Sequence, residues 1–191
     1  MFPCLRRRFF SPRVLDFYPC QHDEIDLRVR LPRENLSELK VLNVGAGTGH
    51  SGLARQLPFL KFKQLDFVDV HQPYLDAAKA KVYDAESVNF ISGDIRTFDT
   101  SPYDLVMMFD ILEHLPKEDS IKVLKNINCK ILVFLPLEKE FRENNFGAES
   151  QDHLSFWTEQ DYIDLGFSTE VLYRFHRDDK NIWDALWALK Y

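Results

Sequence analysis

The chain has 191 residues and a mass of 22.5 kDa, of which 45% are hydrophobic, 14% aromatic and 28% charged, enough apolar material for one domain with a full core and too much for a disordered chain. A formal charge of -6 and a pI near 5.5 argue against the broad electropositive surface on which binding to a nucleic-acid backbone depends. No stretch approaches the roughly 20 apolar residues of a membrane span.

Arg6, Arg7, Arg8 and Arg13 crowd the start and read as a solvated basic arm. Only Phe9 and Phe10 follow the arginines before Ser11-Pro12, far short of a signal-peptide apolar region. Pro3, Pro12, Pro19 and Pro32 break any long helix, so residues 1–39 are expected to form an extension or lid on a domain running from Lys40 to Tyr191. In that extension Phe17 and Tyr18 are candidates for a lid. Cys4, Cys20 and Cys129 are odd in number and far apart, which argues against a disulfide framework or zinc ribbon and makes a reducing cytoplasm the expected location.

From Lys40 onward short β-rich runs alternate with helix-like stretches, the pattern of a parallel sheet with crossover helices. Residues 40–45 read as a first strand, followed by a helix over His50 to Leu57 closed by Pro58. Gln64 to Asp69 is the second strand, and Pro73 opens a helix through Lys81. Ser87 to Ser92 and Tyr103 to Phe109 are the third and fourth strands. Pro116-Lys-Glu-Asp starts a helix that ends near Asn128, and Lys130 to Leu135 is a fifth strand stopped by Pro136. Leu137 to Phe156 reads as a long loop. Thr158-Glu-Gln-Asp161 resembles a capping box and Gly166 a helix C-cap, and the runs Phe167–Phe175 and Ile182–Lys190 suggest a terminal hairpin. Trp183 and Trp187, four apart, are expected on one face and in the core.

The sharpest local signal is Val41-Leu-Asn43-Val-Gly45-Ala46-Gly47-Thr-Gly49-His50-Ser-Gly52, set between the first strand and the first helix. There a ligand can approach bare backbone and a helix N-terminus. The dinucleotide fingerprint puts a glycine where His50 stands, so a nicotinamide-dependent reductase is disfavoured. The run VLNVGAGTGH resembles motif I of class I S-adenosylmethionine-dependent methyltransferases. That resemblance covers residues 40 to 135 with specific motifs. It implies a Rossmann-like three-layer α/β sandwich with a mostly parallel seven-stranded sheet and a C-terminal antiparallel hairpin. It also implies S-adenosyl-L-methionine as cofactor and S-adenosyl-L-homocysteine as product.

By the same resemblance Asn43, Gly45, Ala46, Gly47 and Gly49 surround the methionine part of the cofactor. Asp69, with Val70 beside it, takes the ribose hydroxyls. Asp94 accepts the adenine amino group, Ile95 packs on the ring, and Asp110 completes the site. Asp69 can instead merely cap a turn before Pro73, and Asp94 can be an ordinary turn residue.

Phe109-Asp110-Ile-Leu-Glu113-His114-Leu-Pro116 follows the fourth strand, at the sheet edge where ligands of open α/β folds sit. It is similar to the motif IV region of ubiquinone-pathway O-methyltransferases and other small-molecule enzymes, and it lacks the Asn/Asp-Pro-Pro-Tyr/Phe motif of amino-directed nucleic-acid enzymes. Asp110 and His114 are four apart and share a face if they lie on a helical turn. Asp110, Glu113 and His114 can form a proton-accepting site, with His153 of Gln151-Asp-His153-Leu-Ser-Phe156-Trp157 as a second base. Asp110, Glu113, His114 and His153 can also be read as O/N ligands of a divalent ion, which resembles the cluster of terminal-nucleotide RNA 2'-O-methyltransferases. The remaining histidine spacing does not match that cluster, and no metal is expected. Alternatively, His114 bonds backbone and shapes its loop, and His153 does the same while Phe156 and Trp157 pack in the core.

The resulting expectation is methyl transfer to oxygen of a small-molecule acceptor, with Asp110, Glu113, His114 and His153 on the acceptor side and nucleic acid not a partner. Its rivals are an RNA 2'-O-methyltransferase, supported by the N-terminal arginines, and a catalytically silent methyltransferase-like binding module.

Overall fold

The structure is a computed structural model that describes residues 30–31, 34–47, 60–81, 87–137, 152–177 and 182–191. The helix expected over residues 50–57, Gly49, the arginines of the N-terminal arm, Phe17, Tyr18, Cys4 and Cys20 lie outside the described residues, as does most of the 137–156 loop.

The run Lys40–Val44 forms β1, buried at its last four positions, as an unbroken apolar run does when both faces of a strand are covered. Gln64–Asp69 (β2), Val88–Ser92 (β3) and Leu105–Phe109 (β4) pair in parallel with it or with one another. Lys130–Leu137 (β5) extends this parallel block beyond β4. Ser168–Arg177 (β6) and Ile182–Lys190 (β7) form the terminal hairpin, and β7 inserts antiparallel between β5 and β6. The seven-stranded sheet therefore runs β3-β2-β1-β4-β5-β7-β6, a mixed α/β sheet with the expected terminal hairpin.

Strand periodicity divides the core in two. Val41, Leu65, Phe67, Leu105, Met107 and Phe134 face one side, where Leu75 and Ala78 of helix α1 (Gln72–Lys81) bury against them. Leu42, Val44, Val68, Val106, Met108 and Val133 face the other, against Val123 and Leu124 of α2 (Lys117–Asn126) and Tyr162 of α3 (Glu159–Asp164). Glu118 and Asp119 occupy the first turn of α2, where acids complement the helix dipole. The capping box at Thr158 is complete, and Gly166 has the left-handed φ of 84° expected just past a helix end.

Two expectations need correction. Pro136 does not stop β5, which continues through it to Leu137. The last residue of β5 paired with β4 is Phe134, so among the described residues Pro136 pairs only with β7 and its missing N–H breaks no central ladder. Strand β4 begins at Leu105 rather than Tyr103, whose buried hydroxyl instead donates to Asp66 on β2 at 2.7 Å. Ahead of β1, Leu31 enters the core, Arg30 lies over the Trp187 ring and pairs with Glu170, and Glu34 pairs with Lys130 at 2.6 Å. These residues lie against the β5, β6 and β7 side of the sheet.

Candidate active site

Strands β1, β2, β3 and β4 deliver their carboxyl ends to one edge of the sheet, and β1 lies between β2 and β4, where the strand order reverses. Gly45 leaves β1 with φ 79° and its N–H donates to the Val68 carbonyl at 2.8 Å; Gly47 follows with φ 50°. The left-handed region suits glycine. Among the described residues, a Cβ on Gly47 would meet nothing within 4 Å, whereas a Cβ on Gly45 would overlap Cδ1 of Ile111. Asn43 is buried, and its Nδ2 donates to the Gly45 carbonyl at 3.1 Å.

Asp69 ends β2 facing this turn. Its Oδ2 accepts from the N–H groups of Ala46 at 2.9 Å and Gly47 at 3.3 Å, and its Oδ1 from His71 N–H at 2.8 Å. One carboxylate thus ties the glycine turn to the start of α1, and burial together with this negative charge pushes the Tyr74 hydroxyl pKa up. Val70 beside it is 58% exposed. Asp94, after β3, accepts from Arg96 Nε and Nη2 and from the Arg96 N–H, and the Arg96 hydrogen bonds hold its carboxyl below the ordinary range despite partial burial. Ile95 is buried.

Asp110 follows β4 with φ 53°, a left-handed conformation that costs a non-glycine residue about 1–2 kcal/mol, and its N–H donates to Phe134 at 2.8 Å. Leu112–His114 then form a single 3-10 turn. Asp110 and His114 therefore do not share the face of a helical turn, because the backbone reverses at Asp110 before the turn begins. Glu113 is 2% exposed. Nδ1 of His114 lies 3.1 Å from the carbonyl of Asp152, and the His114 and His153 rings meet edge to face with centroids 4.8 Å apart. One ligand atom from each of Glu113, His114 and His153 lies within 4.8 Å of the others, a carboxylate and imidazole set of the kind divalent cations accept.

Segment 152–157 is held against the 3-10 turn by contacts with no local sequence signature. Leu154 and Ser155 N–H both donate to the Glu113 carbonyl, at 2.7 and 3.1 Å, and the hydroxyls of Ser155 and Ser120 both donate to the Leu112 carbonyl at 3.0 Å. Trp157 is buried, and its Nε1 donates to Ser155 Oγ at 3.0 Å. Ser120, Ser155, Trp157 and Ile111 were not among the candidate residues of the sequence. The adjacency of Ser155 and Trp157 to His153 is the one signal that pointed toward them.

Residues 41–129 match the model of a methyltransferase domain family. Among solved structures, the chain is similar to magnesium protoporphyrin IX methyltransferase from Synechocystis PCC 6803 with bound SAH, at 17% identity and a TM-score of 0.57 over 86% of this chain and 80% of that one. It is also similar to the N-methyltransferase NodS from Bradyrhizobium japonicum WM9, at 17% identity and a TM-score of 0.58 over 85% of this chain and 89% of that one. A third similar structure is the CurJ carbon methyltransferase, at 15% identity and a TM-score of 0.60 over 83% of this chain and 50% of that one. No curated protein matches the chain. Among the described residues, no helix is long and apolar enough to cross a membrane.

Proposed function

We propose that the chain is a class I S-adenosylmethionine-dependent methyltransferase and that it methylates an oxygen of a small-molecule acceptor, with His114 and His153 as proton acceptors and Asp110 and Glu113 beside them. The observation that carries the reading is the edge-to-face pair that His153 of segment 152–157 makes with His114, which lies in the turn directly after β4 and so next in the sheet to the glycine turn after β1. The similar structures are named for nitrogen and carbon acceptors, so the preference for oxygen rests on this histidine pair alone.

The residues present fit the cofactor. Two glycines of the turn adopt the left-handed region, and Asp69 brings a carboxylate to its side. In this reading Gly45, Ala46, Gly47 and Gly49 line the methionine part, Asp69 and Val70 the ribose, Asp94 and Ile95 the adenine, and Asp110 the side toward the acceptor. Asn43 acts through its bond to the Gly45 carbonyl. S-adenosylmethionine, when bound, supplies a methyl group on a positively charged sulfur.

The chain's own work is to orient the acceptor, exclude water and take a proton. The Asp152 carbonyl can only accept, so the His114 nitrogen facing it, Nδ1, carries the hydrogen of the neutral ring, and Nε2 holds the lone pair. That nitrogen is the group suited to remove a hydroxyl proton as the oxygen is methylated. Residues 1–39 are assigned to a lid or extension on the domain that begins at Lys40.

The test is calorimetric titration with S-adenosylmethionine and S-adenosylhomocysteine, with NAD as control, followed by a screen of small hydroxylated acceptors and of RNA. Turnover on a small hydroxylated compound supports the reading. Turnover on RNA, or cofactor binding with no turnover, would replace it with one of the two rivals.

A further inference from the structure

We propose that Ser155 is a positioning residue that holds the Asp152 carbonyl on His114 and so keeps the lone pair of that ring on Nε2. The proposal rests on the reading of His114 as a proton acceptor and adds the group that prepares it.

The polarity of the hydrogen bonds is determined by chemistry. An indole N–H can only donate and a carbonyl can only accept, so the Ser155 hydroxyl must receive from Trp157 Nε1 and give its own proton to Leu112. The chain Trp157 to Ser155 to Leu112 therefore has one direction, and each bond polarises the next. All three side chains are buried: Ser155 is 6%, Trp157 3% and Leu112 0% exposed. The backbone N–H groups of Leu154 and Ser155 add two donors to the Glu113 carbonyl, so this dipeptide lies flat on the 3-10 turn.

The segment continues in both directions from this clasp. Three residues before Ser155, the Asp152 carbonyl reaches His114 Nδ1, and between them His153 meets the His114 ring. On the other side, Thr158 caps α3, Lys117 pairs with Asp161 at 2.8 Å, and the Lys117 ammonium lies 5.2 Å from the centre of the Trp157 ring. The α3 end is thus pinned independently of Ser155, whereas the His153 end is tied through the clasp.

Ser120 provides an internal control. Its hydroxyl donates to the same Leu112 carbonyl but comes from α2 rather than from segment 152–157. Loss of Ser155 leaves that carbonyl with Ser120 and removes the acceptor of a buried indole N–H, so the disturbance falls on segment 152–157 rather than on the turn.

The experiment is long-range 15N–1H spectroscopy of the histidine rings in the full chain with S-adenosylhomocysteine added, the His114 signals being assigned with His114→Gln. The native chain should show the neutral His114 ring protonated on Nδ1. Ser155→Ala should shift the ratio of the two tautomers toward Nε2–H by roughly threefold to tenfold, the scale of one lost hydrogen bond. Ser155→Thr, which keeps the hydroxyl, should restore the native ratio, and Ser120→Ala should leave it unchanged. Ser155→Cys, a near-isosteric weak donor, replaces Ser155→Ala if that variant does not fold, with a smaller shift in the same direction. A native ring protonated on Nε2, a Ser155→Ala or Ser155→Cys variant with the native ratio, or an equal shift in Ser120→Ala would each overturn the proposal. Because the readout is the enzyme's own ring, failure of the methyl-transfer reading shows separately, as absent turnover in the native chain.

Discussion

Ile111 fills the space that a side chain on Gly45 would occupy: Cδ1 of Ile111 overlaps the position of a Cβ there. The glycine turn after β1 and the turn after β4 are thereby in direct contact. Gly45→Ala meets two penalties, the left-handed φ of 79° and the displacement of Ile111. The first costs about 1–2 kcal/mol and the second strains the neighbouring turn. S-adenosylhomocysteine affinity should fall by roughly tenfold or more, with a lower unfolding temperature. Adding Ile111→Ala should recover part of the affinity by relieving the overlap. Calorimetry on the single and double variants checks this, and unchanged affinity in Gly45→Ala would contradict it.

Asp69 serves the same turn through charge. Its carboxylate accepts from Ala46, Gly47 and His71 N–H groups, so its removal leaves three backbone donors to find other partners. Asp69→Ala should weaken S-adenosylmethionine binding by about 1–3 kcal/mol, the scale of lost charge-assisted hydrogen bonds, and should also lower the unfolding temperature in the absence of cofactor. A variant that keeps its affinity would remove Asp69 from the cofactor site. One that loses affinity at constant thermal stability would separate the ligand role from the turn-holding role.

The parts of the molecule legible in the sequence are those whose determinants are adjacent in the chain. Gln64–Asp69 is an apolar run ending on an acid, and both its ends were placed correctly because periodicity and polarity change at the same residues. Thr158 and Asp161 form a capping box from residues three apart, equally local. Pro136 misled because its effect depends on how far β4 extends alongside β5, which no local pattern encodes. The turn after β4 shows the same limit. The left-handed backbone of Asp110 breaks the helical spacing assumed for Asp110 and His114, and the bond from Ser155 to Leu112 spans 43 residues. Serine is an unremarkable residue in a sequence and becomes informative only when tertiary structure gives its hydroxyl a buried carbonyl.

The α3 end of segment 152–157 has a pH dependence. Burial acts to raise the Asp161 carboxyl, but the hydrogen bonds from Lys117 and Thr158 outweigh it and hold the group below its ordinary range. A carboxyl with a depressed folded pKa contributes stability that is fully present above its unfolded pKa, about 3.9, and is lost as pH falls through the folded value. The native chain should therefore be more resistant to urea than Asp161→Asn at pH 6, and the difference should shrink as pH is lowered below about 4. Urea unfolding midpoints of both proteins across that range measure it. A constant difference down to pH 3 would mean that Asp161 acts through shape and capping geometry rather than charge.

His114 separates the two chemistries that its cluster can support. If the ring takes a proton, His114→Ala should leave S-adenosylhomocysteine affinity unchanged and lower turnover by about 10²- to 10⁴-fold, the usual contribution of a general base. Turnover of the native chain should then survive EDTA, because the ring itself takes the proton. Glu113 and His153 sit close enough to His114 for the three to ligate a cation instead. In that case EDTA would abolish turnover and added divalent metal would restore it in the native chain but not in His114→Ala. Measuring the rate with and without chelator in both proteins decides which chemistry the cluster performs.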